Sequence, residues 1–114
     1  MENRLKTLID KFNQYEKYLL SLGLNRVQHK FGGFYYRFNF NILVKKHDGG
    51  WWVAKKASVK KFTNINDFYI LVYDFKQVET FEELQSAALK ILQKYKIAEN
   101  KLKKLKIQFD FDND

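Results

Sequence analysis

The chain has 114 residues, with 21 Lys and Arg against 13 Asp and Glu, a net charge of +8, no Cys or Pro, and 18% aromatic side chains. That length, 46% hydrophobic, supports one core and a single domain, 1–114, and excludes a disordered chain; the lack of cysteine excludes disulfides, thiolate metal sites and a cysteine nucleophile. The first ten residues, MENRLKTLID, are too charged for a signal segment, and no stretch approaches the ~20 apolar residues of a membrane span, so a cytoplasmic protein with no membrane contact is expected.

Residues 2–22 place Leu5, Leu8, Ile9, Phe12, Tyr15, Leu19 and Leu22 on one helical stripe, with Gly23 positioned to end it, so 1–23 reads as an amphipathic helix. Residues 24–77 read as an antiparallel sheet of three to four strands. Leu24 to Phe31 forms a short strand ending at Gly32-Gly33. From Phe34 the period becomes two: Phe34, Tyr36, Phe38, Phe40, Ile42 and Val44 alternate with Tyr35, Arg37, Asn39, Asn41, Leu43 and Lys45, which predicts one long half-buried strand.

His47-Asp48-Gly49-Gly50 supplies the positive-φ chemistry of a hairpin turn, and Trp51 starts the return strand, so 33–62 reads as one long hairpin. Lys55-Lys56 interrupts the return strand, which allows a bulge, an edge position or a short helix. Phe68 to Tyr73 is apolar on both faces, as in a central strand. Thr80 with Glu83 forms a capping box, and Phe81, Leu84, Ala88, Ile91, Leu92 and Tyr95 follow at helical spacing, giving a helix over 80–105. Residues 106–114 alternate as a short strand or form an acidic tail. The fold class is α+β: an N-terminal helix, an antiparallel meander and a long C-terminal helix.

The charge is unevenly placed. Residues 24–66 contain nine basic side chains and one acid, Asp48, and so carry a charge of +8, while the rest of the chain sums to zero. One-signed charge of this kind marks a polyanionic partner. If Phe34, Tyr36, Phe38 and Phe40 face the helices, the period of two turns Tyr35, Arg37, Asn39, Asn41 and Lys45 to the other side, and one of Trp51 and Trp52 must join them. Cations meet phosphates, and exposed rings stack on unpaired bases. The binding candidates are therefore Tyr35, Arg37, Lys45, Lys46, Trp51, Trp52, Lys55, Lys56, Lys60 and Lys61. In the plainer alternative, the lysines only solubilise the sheet and Arg37 pairs with a helix carboxylate such as Glu82.

The sequence holds no phosphate loop, dinucleotide fingerprint or serine nucleophile motif, and its two imidazoles, His29 and His47, lack neighbouring ligands at metal-site spacing. A non-enzymatic protein without metal or cofactor is expected. The enzymatic alternative is a metal-independent ribonuclease using Arg37, Lys56 and His47.

The stretch Lys30-Phe31-Gly32-Gly33-Phe34-Tyr35-Tyr36-Arg37-Phe38 resembles the aromatic submotif of RNA-recognition motifs. Its element order, beginning with a helix and lacking a helix between strands, does not match that family. Compact bacterial mRNA-cleaving toxins are similar in size and charge. As a type, a small cysteine-free domain rich in Lys, Asn, Phe and Tyr resembles the anti-defence proteins of phages and mobile elements, anti-CRISPR proteins included. That resemblance implies an inhibitor engaging RNA or an RNA-guided nuclease complex, through the guide RNA, its channel rim or an acidic face of the nuclease, not by imitating DNA. A protein-interaction module, monomeric or homodimeric through exposed aromatics, is the further alternative.

Overall fold

The computed structural model describes residues 2–112, with side chains described over 4–108. Helix α1 (Glu2–Ser21) leads into strands β1 (Asn25–Gln28), β2 (Phe34–Phe38), β3 (Asn41–His47), β4 (Gly50–Lys61) and β5 (Phe68–Val78), and helix α2 (Phe81–Asp112) follows. Every pairing is antiparallel and the strands lie in chain order, β1-β2-β3-β4-β5. The fold is α+β, with five strands rather than three or four.

Local chemistry sets the element ends. Gly23, at φ +93°, ends α1: its N–H donates to the Leu20 carbonyl at 3.0 Å, and the Leu24 N–H donates to the Leu19 carbonyl at 3.3 Å. At the start of α2 the Glu83 N–H donates to Thr80 Oγ1 at 3.1 Å, while the Glu83 carboxylate accepts from the Glu79 N–H at 3.0 Å. Asp48 and Gly49, at φ +50° and +74°, make the two-residue turn that pairs His47 with Gly50.

Both helices cover one face of the sheet. Tyr15 and Leu19 of α1, Tyr36, Val44, Trp51 and Val53 of the sheet, and Leu84, Ile91 and Tyr95 of α2 form the core. Trp51 anchors it, with its ring centroid 5.7, 5.2 and 5.6 Å from those of Phe12, Tyr15 and Tyr36. The buried Tyr36 hydroxyl donates to Glu16 at 3.3 Å, and the Glu16 carboxylate also pairs with Arg26 at 3.2 Å. Burial, reinforced by Glu16, raises the Tyr36 pKa well above its ordinary value.

Several expectations are corrected. The long alternation from Phe34 to Lys45 is two strands, broken by a turn at Asn39 and Phe40. Asn39 takes φ +54°, a conformation asparagine tolerates, and Phe40 is 93% exposed rather than facing the helices. The turn pairs Phe38 with Asn41 and so carries Asn41 to the helix side. There its side chain accepts from the Tyr95 hydroxyl at 3.0 Å and donates to the Ile70 carbonyl at 3.0 Å, while Asn39 bonds Glu99 of α2.

Strand β4 runs unbroken through Lys55-Lys56, with no helix. The irregularity sits opposite Lys55 on Asp74, at φ +62°. Strand β5 is an edge strand, not a central one, and runs to Val78. Helix α2 continues to Asp112 where a strand or acidic tail was expected. No Gly or Pro lies between residues 81 and 112 to stop it, and each added helical residue gains a hydrogen bond without a new nucleation cost. Residues 113 and 114 of the expected tail lie outside the described residues. Finally, Leu5, Leu8 and Ile9 are exposed. The α1 stripe outruns the sheet at the β3–β4 turn, where Leu8 and Ile9 line a shallow groove with Gly49 and Trp51.

Candidate nucleic-acid interface

Strand pairing assigns every side chain of the sheet to one of two faces, because directly paired residues share a face and neighbours along a strand alternate. Tyr36, Val44 and Val53 pair in a row under the helices. The adjacent row, Val27, Tyr35, Lys45, Trp52 and Gln77, therefore lies on the face that no helix covers. Counting on by twos adds Arg37 of β2, Lys56, Ser58 and Lys60 of β4, and Tyr69, Leu71, Tyr73 and Phe75 of β5. Among the described residues no Asp or Glu occupies a strand position on this face.

Cations and rings interleave along it. The Lys45 ammonium lies 4.1 Å from the Phe75 ring centroid and 5.7 Å from that of Tyr35, and Lys56 lies 5.8 Å from the Tyr73 ring. Tyr35 packs against His29 at 4.7 Å, Trp52 stacks parallel to His47 at 5.5 Å, and Phe62 packs on Tyr69 at 4.6 Å. His47 in turn contacts Asp48 at 3.1 Å. Among the described residues none of Arg37, Lys45, Lys56 and Lys60 has a carboxylate within ion-pair distance, so Arg37 does not pair with Glu82. The Trp52 indole N–H and the Ser58 hydroxyl, both belonging to this face, are shielded and have no hydrogen-bond partner among the described residues.

The structure divides the ten sequence candidates. Tyr35, Arg37, Lys45, Trp52, Lys56 and Lys60 share the open face. Trp51, 5% exposed, is committed to the core. Lys46 pairs with Trp51 and lies on the helix side, its ammonium 5.8 Å from the Trp51 ring; burial, and then the Lys11 charge, lower its pKa. Lys55 and Lys61 also fall on the helix side, by the alternation of β4.

Sequence reasoning missed the contribution of β5. Tyr69, Tyr73 and Phe75 sit on the open face while Ile70 and Val72 turn inward. Part of the signal was present: the tyrosines of β5, Tyr69 and Tyr73, occupy odd positions, with Ile70 and Val72 at even ones between them. His29 and His47, which lack metal-type neighbours in the sequence, flank the same row with their rings through Tyr35 and Trp52.

Arranged this way, the face can neutralise phosphates and offer flat rings within one surface. A proton-transfer centre is less developed: His47, Arg37 and Lys56, the ribonuclease candidates, are spread over three strands. Among the described residues no group of three or more His, Asp or Glu could hold a metal ion, and no helix is long and apolar enough to cross a membrane. Comparison with known protein families, with curated proteins and with solved structures finds no match to this chain.

Proposed function

We propose that this protein is a binding module for single-stranded or structured RNA, with the uncovered face of its sheet as the contact surface. The observation that carries the reading is the carboxylate-free interleaving of Arg37, Lys45, Lys56 and Lys60 with Tyr35, Trp52, Phe75 and Tyr73 on one open face. Unpaired bases expose π-faces that stack on such rings at ~1–3 kcal/mol per base, while lysines track the phosphates. A duplex buries those π-faces in its own stack, so the rings favour unpaired nucleotides.

The His47 ring already covers one side of Trp52, so a base entering there extends the stack from His47 or displaces it. The narrower reading, inhibition of an RNA-guided nuclease through its guide strand, follows from the resemblance of type, and this surface supports it only in so far as it supports RNA contact.

The test is affinity for a short unpaired oligoribonucleotide as a function of salt. Neutralising about four phosphates on a single strand, one for each of Arg37, Lys45, Lys56 and Lys60, gives a log–log slope near −2.8. A salt-independent interaction, or none, removes RNA as the partner. Adding the protein to a guide-loaded nuclease, with and without competing oligoribonucleotide, then tests the narrower reading.

A further inference from the structure

On the helix side of the sheet, α2 meets β4 and β5 along a cleft of about 490 Å³, a size usual for small-ligand sites. We propose that this cleft is a binding site for an oligophosphate group, a diphosphate or triphosphate chain. Four lysines line it: Lys55 and Lys76 from the sheet, Lys90 and Lys94 from the helix.

Their convergence follows from the fold. Lys90 and Lys94 are four residues apart on α2 and so share one helix face. Lys76 pairs with Val53, and Lys55 lies two residues beyond Val53 on the same face, so the sheet lysines are diagonal neighbours. The Lys94 ammonium donates to the Lys55 carbonyl at 2.8 Å, which brings the helix pair and the sheet pair together.

The charges are also uncompensated. Among the described residues Glu83 is the one carboxylate lining the cleft, and it accepts from the Glu79 N–H as part of the α2 cap. Among the described residues none of the four lysines has a carboxylate within ion-pair distance. Ala87 and Ile91 supply apolar wall, which concentrates the field of one-signed charge in a concavity. A lone carboxylate is too small to bridge helix pair and sheet pair, whereas linked phosphates span them, with lysines acting as flexible point charges. This inference does not rest on the open-face reading, because the cleft lies across the sheet from it.

The experiment is isothermal titration calorimetry of the full chain with inorganic triphosphate. The expected result is saturable 1:1 binding, weakened at least tenfold by Lys76→Glu and by Lys90→Glu. Lys17→Glu, an equal charge change on exposed α1, shifts it less than twofold. No saturation into the millimolar range, or equal weakening by Lys17→Glu, overturns the proposal. Because a triphosphate occurs both on a free nucleotide and at an RNA 5′ end, two further titrations distinguish the sources: ATP, and one oligoribonucleotide carrying either a 5′-triphosphate or a 5′-hydroxyl. Tighter binding of ATP than of triphosphate assigns a nucleotide, and tighter binding of the 5′-triphosphate strand than of its 5′-hydroxyl form assigns an RNA end; either result supports the site.

Discussion

Lys45 and Phe75 meet across the width of β4: the ammonium sits 4.1 Å from the ring centroid although the two residues belong to strands that do not pair. Ala54, paired with Phe75, makes this contact possible, because its methyl group leaves the space that a larger side chain would fill. The contact holds a positive charge at the centre of the open face. Lys46, the next residue, points the opposite way, toward Trp51.

These neighbours should therefore behave as opposites. Lys45→Met is expected to weaken RNA binding and make the salt slope shallower by ~0.7, the contribution of one phosphate contact on a single strand. Lys46→Met should leave binding unchanged and slightly raise the denaturation midpoint, since it removes a part-buried charge whose pKa is lowered by burial and by Lys11. Salt titration and urea denaturation of the two variants check the contrast.

Gly33 provides a test of register. It has φ +81°, and a Cβ there would stand 2.5 Å from the Lys46 carbonyl oxygen and 3.1 Å from His47 Cβ. Gly33→Ala should cost about 2–3 kcal/mol, from left-handed backbone strain together with the overlap against β3. Chemical denaturation would show this as a lower midpoint at unchanged slope.

The Asn41 bridge between Tyr95 and the Ile70 carbonyl ties the start of β3 to α2 and β5. Tyr95→Phe removes the hydroxyl's bond to Asn41 and should cost ~1 kcal/mol; Asn41→Leu breaks both of the Asn41 bonds and should cost ~2–3 kcal/mol. Neither should alter the salt dependence of RNA binding, because both side chains lie beneath the sheet.

Binding without turnover is expected. Labelled RNA incubated with the protein in chelator should remain intact over hours, with His47→Ala and Arg37→Ala giving the same unchanged gel pattern. Cleavage abolished by either substitution would instead establish the ribonuclease alternative.

The elements legible in the sequence were those with strong local punctuation: Gly23 closing α1, Asp48-Gly49 in the hairpin, and Thr80 with Glu83 opening α2. The Asn39-Phe40 turn was hidden because it contains no glycine and interrupts no alternation. Its consequences nearly cancel. With the two-residue turn alone, Val44 would stand opposite Tyr35 and Lys45 would be carried to the helix side. The register shift beyond Arg37 inserts one extra residue of β3 and brings Lys45 opposite Tyr35 again. Lys45 thus reached its expected face through two departures from the expected strand, while Asn41, lying before the shift, did not. Strand β5 misled for a different reason: apolar residues on both faces imply burial on both, yet Tyr69, Leu71 and Tyr73 remain more than a third exposed, on the face that no helix covers.

The most direct test of the central claim uses the alternation of β4, which sends Lys60 and Lys61 to opposite faces. Affinity for an unpaired 5′-hydroxyl oligoribonucleotide should be measured for Lys56→Glu/Lys60→Glu and for Lys61→Glu/Lys103→Glu, which change the net charge equally. If the open face binds RNA, the first double variant loses at least tenfold in affinity and ~1.4 from its salt slope, while the second stays within about threefold of the parent. Equal losses in the two variants would mean that bulk charge, and not this face, attracts the strand.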